Sequence, residues 1–184
     1  MKLFAIYAAV DLIDKPIWLD EYRKNLEQFY DFHVTLKQSC YIEERRLSDV
    51  KNKLSVLFSE LKLADHEIHI VFEKLVTDGS DPTDGVIMIQ AQNPPLSNLQ
   101  KRIISVLSDY KQYYEPASQE WEENFKPHIT IACNLDSEKF RVAQKDIPQD
   151  YVCAGVIREV KLSVVDPKDT SSVGSKKEIV VYKL

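Results

Sequence analysis

The chain has 184 residues, 44% of them hydrophobic and 29% charged, with a net charge of −5. That length suits one domain, or one domain of two lobes, with a real core. The composition is that of an ordinary soluble globular protein, and the acidic balance excludes one that coats long nucleic acid through counterion release, while leaving room for a small phosphate ester in a local pocket.

The opening "MKLFAIYAAVDLIDK" has the lysine and short apolar run of a signal peptide, but Asp11 and Asp14 interrupt the run and no small-residue cleavage site follows. Residues 2–10 therefore read as a first buried strand. Over residues 17–30 the apolar groups Leu19, Tyr22, Leu26 and Phe29 recur with helical spacing. Residues 32–37 alternate like a strand. Ser48 or Asp49 is the expected cap of a second helix, whose inner face carries Leu47, Val50, Leu54, Leu57 and Leu61. The strands "HEIHIVFEKLV" (66–76) and "VIMIQAQ" (86–92) flank the turn-rich "DGSDPTDG", a hairpin with a long loop.

Pro94 and Pro95 open a third helix at its first turn, where a missing N–H costs little; Leu96, Leu99, Ile103, Leu107 and Tyr110 form its stripe. Residues 111–123 read as a polar, aromatic-rich loop and residues 128–133 as a strand. A short helix covers 136–145, starting at Asp136 or Ser137, and strands follow at 152–165 and 178–183 around "DPKDTSSVGSKK". No run approaches the roughly 18–20 apolar residues that span a bilayer. The cysteines, Cys40, Cys133 and Cys153, are odd in number and lack a CxxC spacing, which fits a reduced chain. A cytoplasmic (or nuclear) monomer is expected. The order of elements reads as two related α+β halves within a single domain, 1–184.

Two strands carry the chemistry. "HVTL" at 33–36 and "HITI" at 128–131 each place a histidine and a threonine at i and i+2, hence on one strand face about 6–7 Å apart. Val34 and Leu36, and Ile129, Ile131 and Cys133, then point into a core. Four histidines and five threonines in this chain give on the order of 0.1 chance H-x-T matches, and it has two. Facing each other across a cleft, such strands supply two imidazoles, one as base and one as acid, and two hydroxyls that donate to phosphate oxygens. That set can open a cyclic phosphodiester with no metal and no cofactor, the threonines steadying the phosphorane charge.

These motifs, half a chain apart, resemble the paired signatures of the 2H phosphoesterase superfamily. The strand "LFAIYAAVD" and the "FKPHITI" context are most similar to its 2′-5′ RNA ligase and cyclic phosphodiesterase branch. The resemblance implies a bilobal, pseudo-twofold α+β fold, with two antiparallel sheets forming a central cleft and helices on the outside. It also implies metal-independent hydrolysis of 2′,3′-cyclic phosphates on RNA ends or small nucleotides, with 2′-5′ ligation as the reverse reaction. His33, Thr35, His128 and Thr130 match the motif. Where many members carry an aromatic–Leu–Gly run after the first motif, this chain reads Lys37-Gln38-Ser39, which leaves the subfamily open. Trimming of RNA 3′ ends, cleavage of cyclic or 2′-5′ oligonucleotides, and nucleotide binding without turnover are the competing readings.

Two further residues are candidates for substrate binding. Tyr7 sits among small alanines on the first strand, and Lys37 shares the face of His33 and Thr35 by alternation. Tyr113, Tyr114 and Trp121 precede the second motif and serve either as stacking platforms for a base or as packing over the third helix. Lys126 would add positive potential at the cleft mouth. His66 and His69 have metal-like spacing only on a helix; on the strand read here they diverge. No Gly-rich phosphate loop, Walker sequence or G-x-S-x-G is present.

Overall fold

The alternating apolar residues of the N-terminus form strand β1, Lys2–Ala9, and then the chain does something its hydropathy does not announce. At Val10 it leaves one sheet and continues as β2, Asp11–Asp14, in another. A computed structural model of the chain describes residues 1–61, 67–169 and 178–184. Near the C-terminus the same thing happens again: β7, Cys153–Ile157, and β8, Glu159–Val165, break at Arg158 and belong to different sheets. The single strand expected over 152–165 is thus two.

One antiparallel sheet has four strands in the order β3-β1-β8-β9, with β3 at His33–Ile42 and β9 at Glu178–Lys183. The other has five, β2-β7-β4-β5-β6, with β4 at Ile68–Asp78, β5 at Gly85–Ala91 and β6 at His128–Leu135. The segments 2–14 and 153–165 each give one strand to both sheets and so stitch the lobes together. Arg158 fastens the crossing, donating to Glu67 at 2.9 Å and to Asp11 at 3.3 Å. Gly155 lets the crossing segments close up, since a Cβ there would lie 2.7 Å from Val10 Cγ1.

Helices cover the outer faces. The third predicted helix, α3 below, is the clearest from sequence. In chain order, α1 is Leu19–Asn25, α2 Leu47–Glu60, α3 Pro94–Val106, α4 Ser118–Glu123 and α5 Ser137–Asp146. Asn93 caps α3 by accepting from Leu96 N–H at 2.9 Å, and Leu96, Leu99, Ile103, Leu107 and Tyr110 are all buried. Each such side chain contributes about 1.5–3 kcal/mol of burial. Asp136 caps α5 in the same way, through Lys139 N–H at 2.8 Å.

Three expectations fail locally. The helix predicted over 17–30 stops at Asn25, because Glu27 turns left-handed at φ 58°; Phe29 is 78% exposed and packs on no inner face. Neither Ser48 nor Asp49 caps α2, which follows a 3-10 turn at Glu44–Arg46; Asp49 instead accepts from Tyr110 OH at 2.6 Å. The loop at 111–123 contains α4. No helix among the described residues is long and apolar enough to cross a membrane.

Candidate active site

His33 is the first residue of β3 and His128 the first of β6. Each motif strand is the edge of its sheet, and the two come within 8 Å of each other, Cα to Cα. The reason lies in the loop between α1 and β3. Gln28 uses its side-chain amide as a strand would use its backbone, donating to Cys133 O at 3.1 Å and accepting from Cys133 N–H at 3.2 Å. Tyr30 OH lies 3.5 Å from Cys133 Sγ. The loop that delivers His33 is therefore docked on the strand that delivers His128.

The imidazoles are seated identically. His33 Nδ1 lies 3.0 Å from the carbonyl oxygen of Asp31, and His128 Nδ1 lies 2.9 Å from that of Lys126. A carbonyl only accepts, so each Nδ1 carries a proton, and in the neutral ring each Nε2 is the nitrogen without one. Just before each histidine the ladder closes by one further bond, Val10 N–H to Phe32 O at 3.0 Å and Ala91 N–H to Pro127 O at 2.8 Å.

Alternation then holds for three residues and slips. Val34 and Leu36 are buried while His33 and Thr35 are half-buried; Ile129 and Ile131 are buried while His128 and Thr130 are half-buried. Thr35 pairs with Tyr7, but the next pair is Lys37 with Ile6; Thr130 pairs with Met88, but the next is Ala132 with Ile87. Each motif is followed by a β-bulge at the same place, which flips the phase of the residues just beyond it, until a second irregularity in each strand shifts the register again.

That bulge overturns the placement expected for Lys37. Instead of sharing the face of His33 and Thr35, it turns into the core and is 1% exposed. Its Nζ donates to both carboxylate oxygens of Glu122, at 2.9 and 3.1 Å, and to Cys40 Sγ at 3.3 Å, beneath the ring of Tyr113. Glu122 also accepts from Gln38 N–H and Tyr113 OH. The second bulge corrects Cys133, which leaves the core and faces Gln28 and Tyr30. Tyr113 is thus packing, not a base platform; Tyr114 and Trp121 are largely exposed.

Tyr7 lies on β1 as expected, where it pairs with Thr35, its ring centroid 5.2 Å from that of His33 in an edge-on arrangement. Burial raises its hydroxyl pKa; Lys161 pulls it down, and Asp31 and Glu159 push it up. Lys161 is the residue sequence reasoning missed. It stands opposite Tyr7 on β8, bound to Glu159 at 2.9 Å, which raises its pKa and keeps it a cation. Only the strand order reveals it, since a lysine on an alternating strand reads as solvated surface. Gln90, opposite His128, was missed for the same reason. Lys126 is exposed, and it is its carbonyl that serves the site. His69 is exposed beside Glu67, and His66 falls outside the described residues.

The architecture as a whole is also found among solved structures. A structure of Kluyveromyces marxianus Usb1 matches 99% of this chain and 98% of its own, with a TM-score of 0.58 at 8% sequence identity. This chain shares the fold of Usb1. A second Usb1 structure, with uridine monophosphate, matches the same shares at 10% identity and a TM-score of 0.49. No family model and no curated protein matches the sequence. The likeness to Usb1 is one of architecture, and it bears out the expected α+β fold with two antiparallel sheets.

Proposed function

We propose that the protein is a 2H-type phosphodiesterase acting on RNA ends or small nucleotides, and that it opens 2′,3′-cyclic phosphates by paired-histidine catalysis. One Nε2 takes a proton from water as the oxygen attacks phosphorus; the other imidazole, protonated, hands its proton to the departing ribose oxygen. Atoms balance to a phosphomonoester and a free hydroxyl, and the pair ends with its protonation states exchanged. Thr35 and Thr130 donate to the non-bridging oxygens as charge builds on them. Tyr7 braces the His33 ring and bounds the space beside it. With a ribose 5′-hydroxyl in place of water the same ring opening joins two ends through a 2′-5′ bond, and its reverse, cleavage of that bond, uses the same groups by microscopic reversibility.

The observation that carries this reading is the duplicated seating of the histidines. Binding alone needs no proton shuttle, and a scaffold does not need the same tautomer imposed twice from backbone carbonyls two residues upstream. A second reading, trimming of RNA 3′ ends, draws on the same seating of both histidines. There the nucleophile is a ribose 2′-hydroxyl instead of water, and the acid–base pair is unchanged.

The test is turnover of 2′,3′-cyclic nucleotides, 2′-5′ dinucleotides and short RNA, with EDTA present. His33→Ala and His128→Ala should each lose about 10²–10⁴-fold in rate, the usual worth of a general acid or base, and the wild-type profile with pH should be bell-shaped. Full activity in either variant refutes the acid–base pair. Nucleotide affinity with no turnover of any of these substrates assigns the cleft to binding.

A further inference from the structure

Beside His33 the cleft opens into a groove of about 750 Å³, walled by α1, the loop to β3 and β8. It is continuous with the site, because Lys161, which faces Tyr7, and Asp31, whose carbonyl holds His33, both line it. Its volume exceeds what one nucleotide fills.

The groove has the chemistry of a nucleotide subsite. Phe29 stands on its rim, 78% exposed, with nothing in the fold asking for an aromatic there. Arg23 lies in its wall, 8% exposed, and has no carboxylate partner among the described residues. It donates to Tyr30 O and stacks on Phe32 at 4.1 Å, yet its buried Nε has no hydrogen-bond partner, which is a cost the fold carries unless an acceptor arrives. Two of the groove's carboxylates, Asp11 and Glu159, are engaged by Arg158 and Lys183 from outside it. Within the groove Lys161 is paired with Glu159 and Lys15 with Asp20, while Arg23 has no such pair among the described residues.

We propose that this groove holds the nucleotide adjoining the one that bears the reacting phosphate, its base stacked on Phe29 and its phosphodiester near Lys161 and Arg23. A cyclic phosphate ends an RNA chain, so that neighbour lies on the 5′ side, and the preferred substrate is an oligonucleotide end over a mononucleotide. The inference rests on a phosphate lying between His33 and His128, as proposed above.

Calorimetric binding of thymidine 3′-monophosphate and the dinucleotide dTpdTp tests it; the deoxy sugar removes the nucleophile that would cleave the internal linkage. The dinucleotide should bind about tenfold tighter or more, the size of one base–aromatic stack. Phe29→Ala, at an exposed position that folding does not need, should cut that advantage to about twofold, and Lys161→Gln should also reduce it. Equal affinity of the two ligands, or an advantage that survives both substitutions, overturns the subsite. Turnover of cyclic phosphates is scored separately: the advantage without turnover keeps the groove and sinks the catalytic reading, and turnover without the advantage does the reverse.

Discussion

The ion pair under the first motif gives the sharpest stability prediction. Lys37 and Glu122 are 85 positions apart in sequence, and their side chains are 2% and 4% exposed. Substituting Lys37→Met keeps the volume and the apolar stem but strands a carboxylate in the core, where only Gln38 N–H and Tyr113 OH still serve it. Breaking such a pair from one side costs about 3–5 kcal/mol. At about 2–4 °C per kcal/mol for a chain of this size, thermal unfolding followed by circular dichroism should fall by about 6–20 °C. The double variant Lys37→Met/Glu122→Gln removes both charges and keeps an amide that can accept from Gln38 and donate to Tyr113. It should recover more than half of the loss, because desolvated charges gain little over neutral groups once neither is left alone. A fall of less than about 3 °C in the single variant, or a double variant as unstable as the single one, would refute this account of the bulge as a device that buries a satisfied pair.

Other consequences can be measured as directly. Thr130→Val, nearly isosteric, should leave the melting temperature in place and lower kcat about 10²-fold by removing a donor to the transition state. Burial, with the charge of Asp14 second, raises the Cys153 thiol from 9.0 to about 11. The folded state thus holds a proton that the unfolded chain releases. The stabilisation is whole below pH 9 and is lost as pH climbs toward 11, by about 2–3 kcal/mol; urea unfolding at pH 8 and pH 10.5 should show a smaller alkaline loss in Cys153→Ala. Asn93→Ala removes the cap of α3 and also the bond from Asn93 Nδ2 to His69 O at 2.7 Å, and should cost about 1 kcal/mol in the same assay.

What the sequence made legible was local. The stripe of α3, with its two prolines and Asn93, and the strands of both motifs stand where periodicity put them, because 3.6- and 2-residue repeats are properties of short windows. The faces of His33, Thr35, His128 and Thr130 were legible for the same reason. Lys37 and Cys133 were not: a bulge adds one residue to one strand and leaves no compositional mark, yet it inverts the side chains just beyond it. The switches of sheet at Val10 and Arg158 were hidden because the hydropathy runs straight through them. Lys161 and Gln90 were hidden because which strand lies beside which is a long-range fact.

The bulges also explain how a strand that must be anchored can still present a reactive face. Val34 and Leu36, like Ile129 and Ile131, are buried, and an unbroken strand would go on aiming every second side chain, Lys37 and Ser39 or Ala132 and Asn134, at the open side. After the slip, Lys37 and Ala132 join the buried set instead, so in each half the run of open positions that begins with the histidine and the threonine is broken at the fifth residue of the strand. Both halves reach this by the same device at the same offset, and both hold Nδ1 from a backbone carbonyl, which no side-chain substitution at 31 or 126 removes. In the proposed mechanism two edge strands so built exchange acid and base roles without rearrangement, since each is a copy of the other's solution, and the asymmetry that a substrate needs comes from what differs around them: Tyr7 and Lys161 on the side of His33, Gln90 and Met88 on the side of His128.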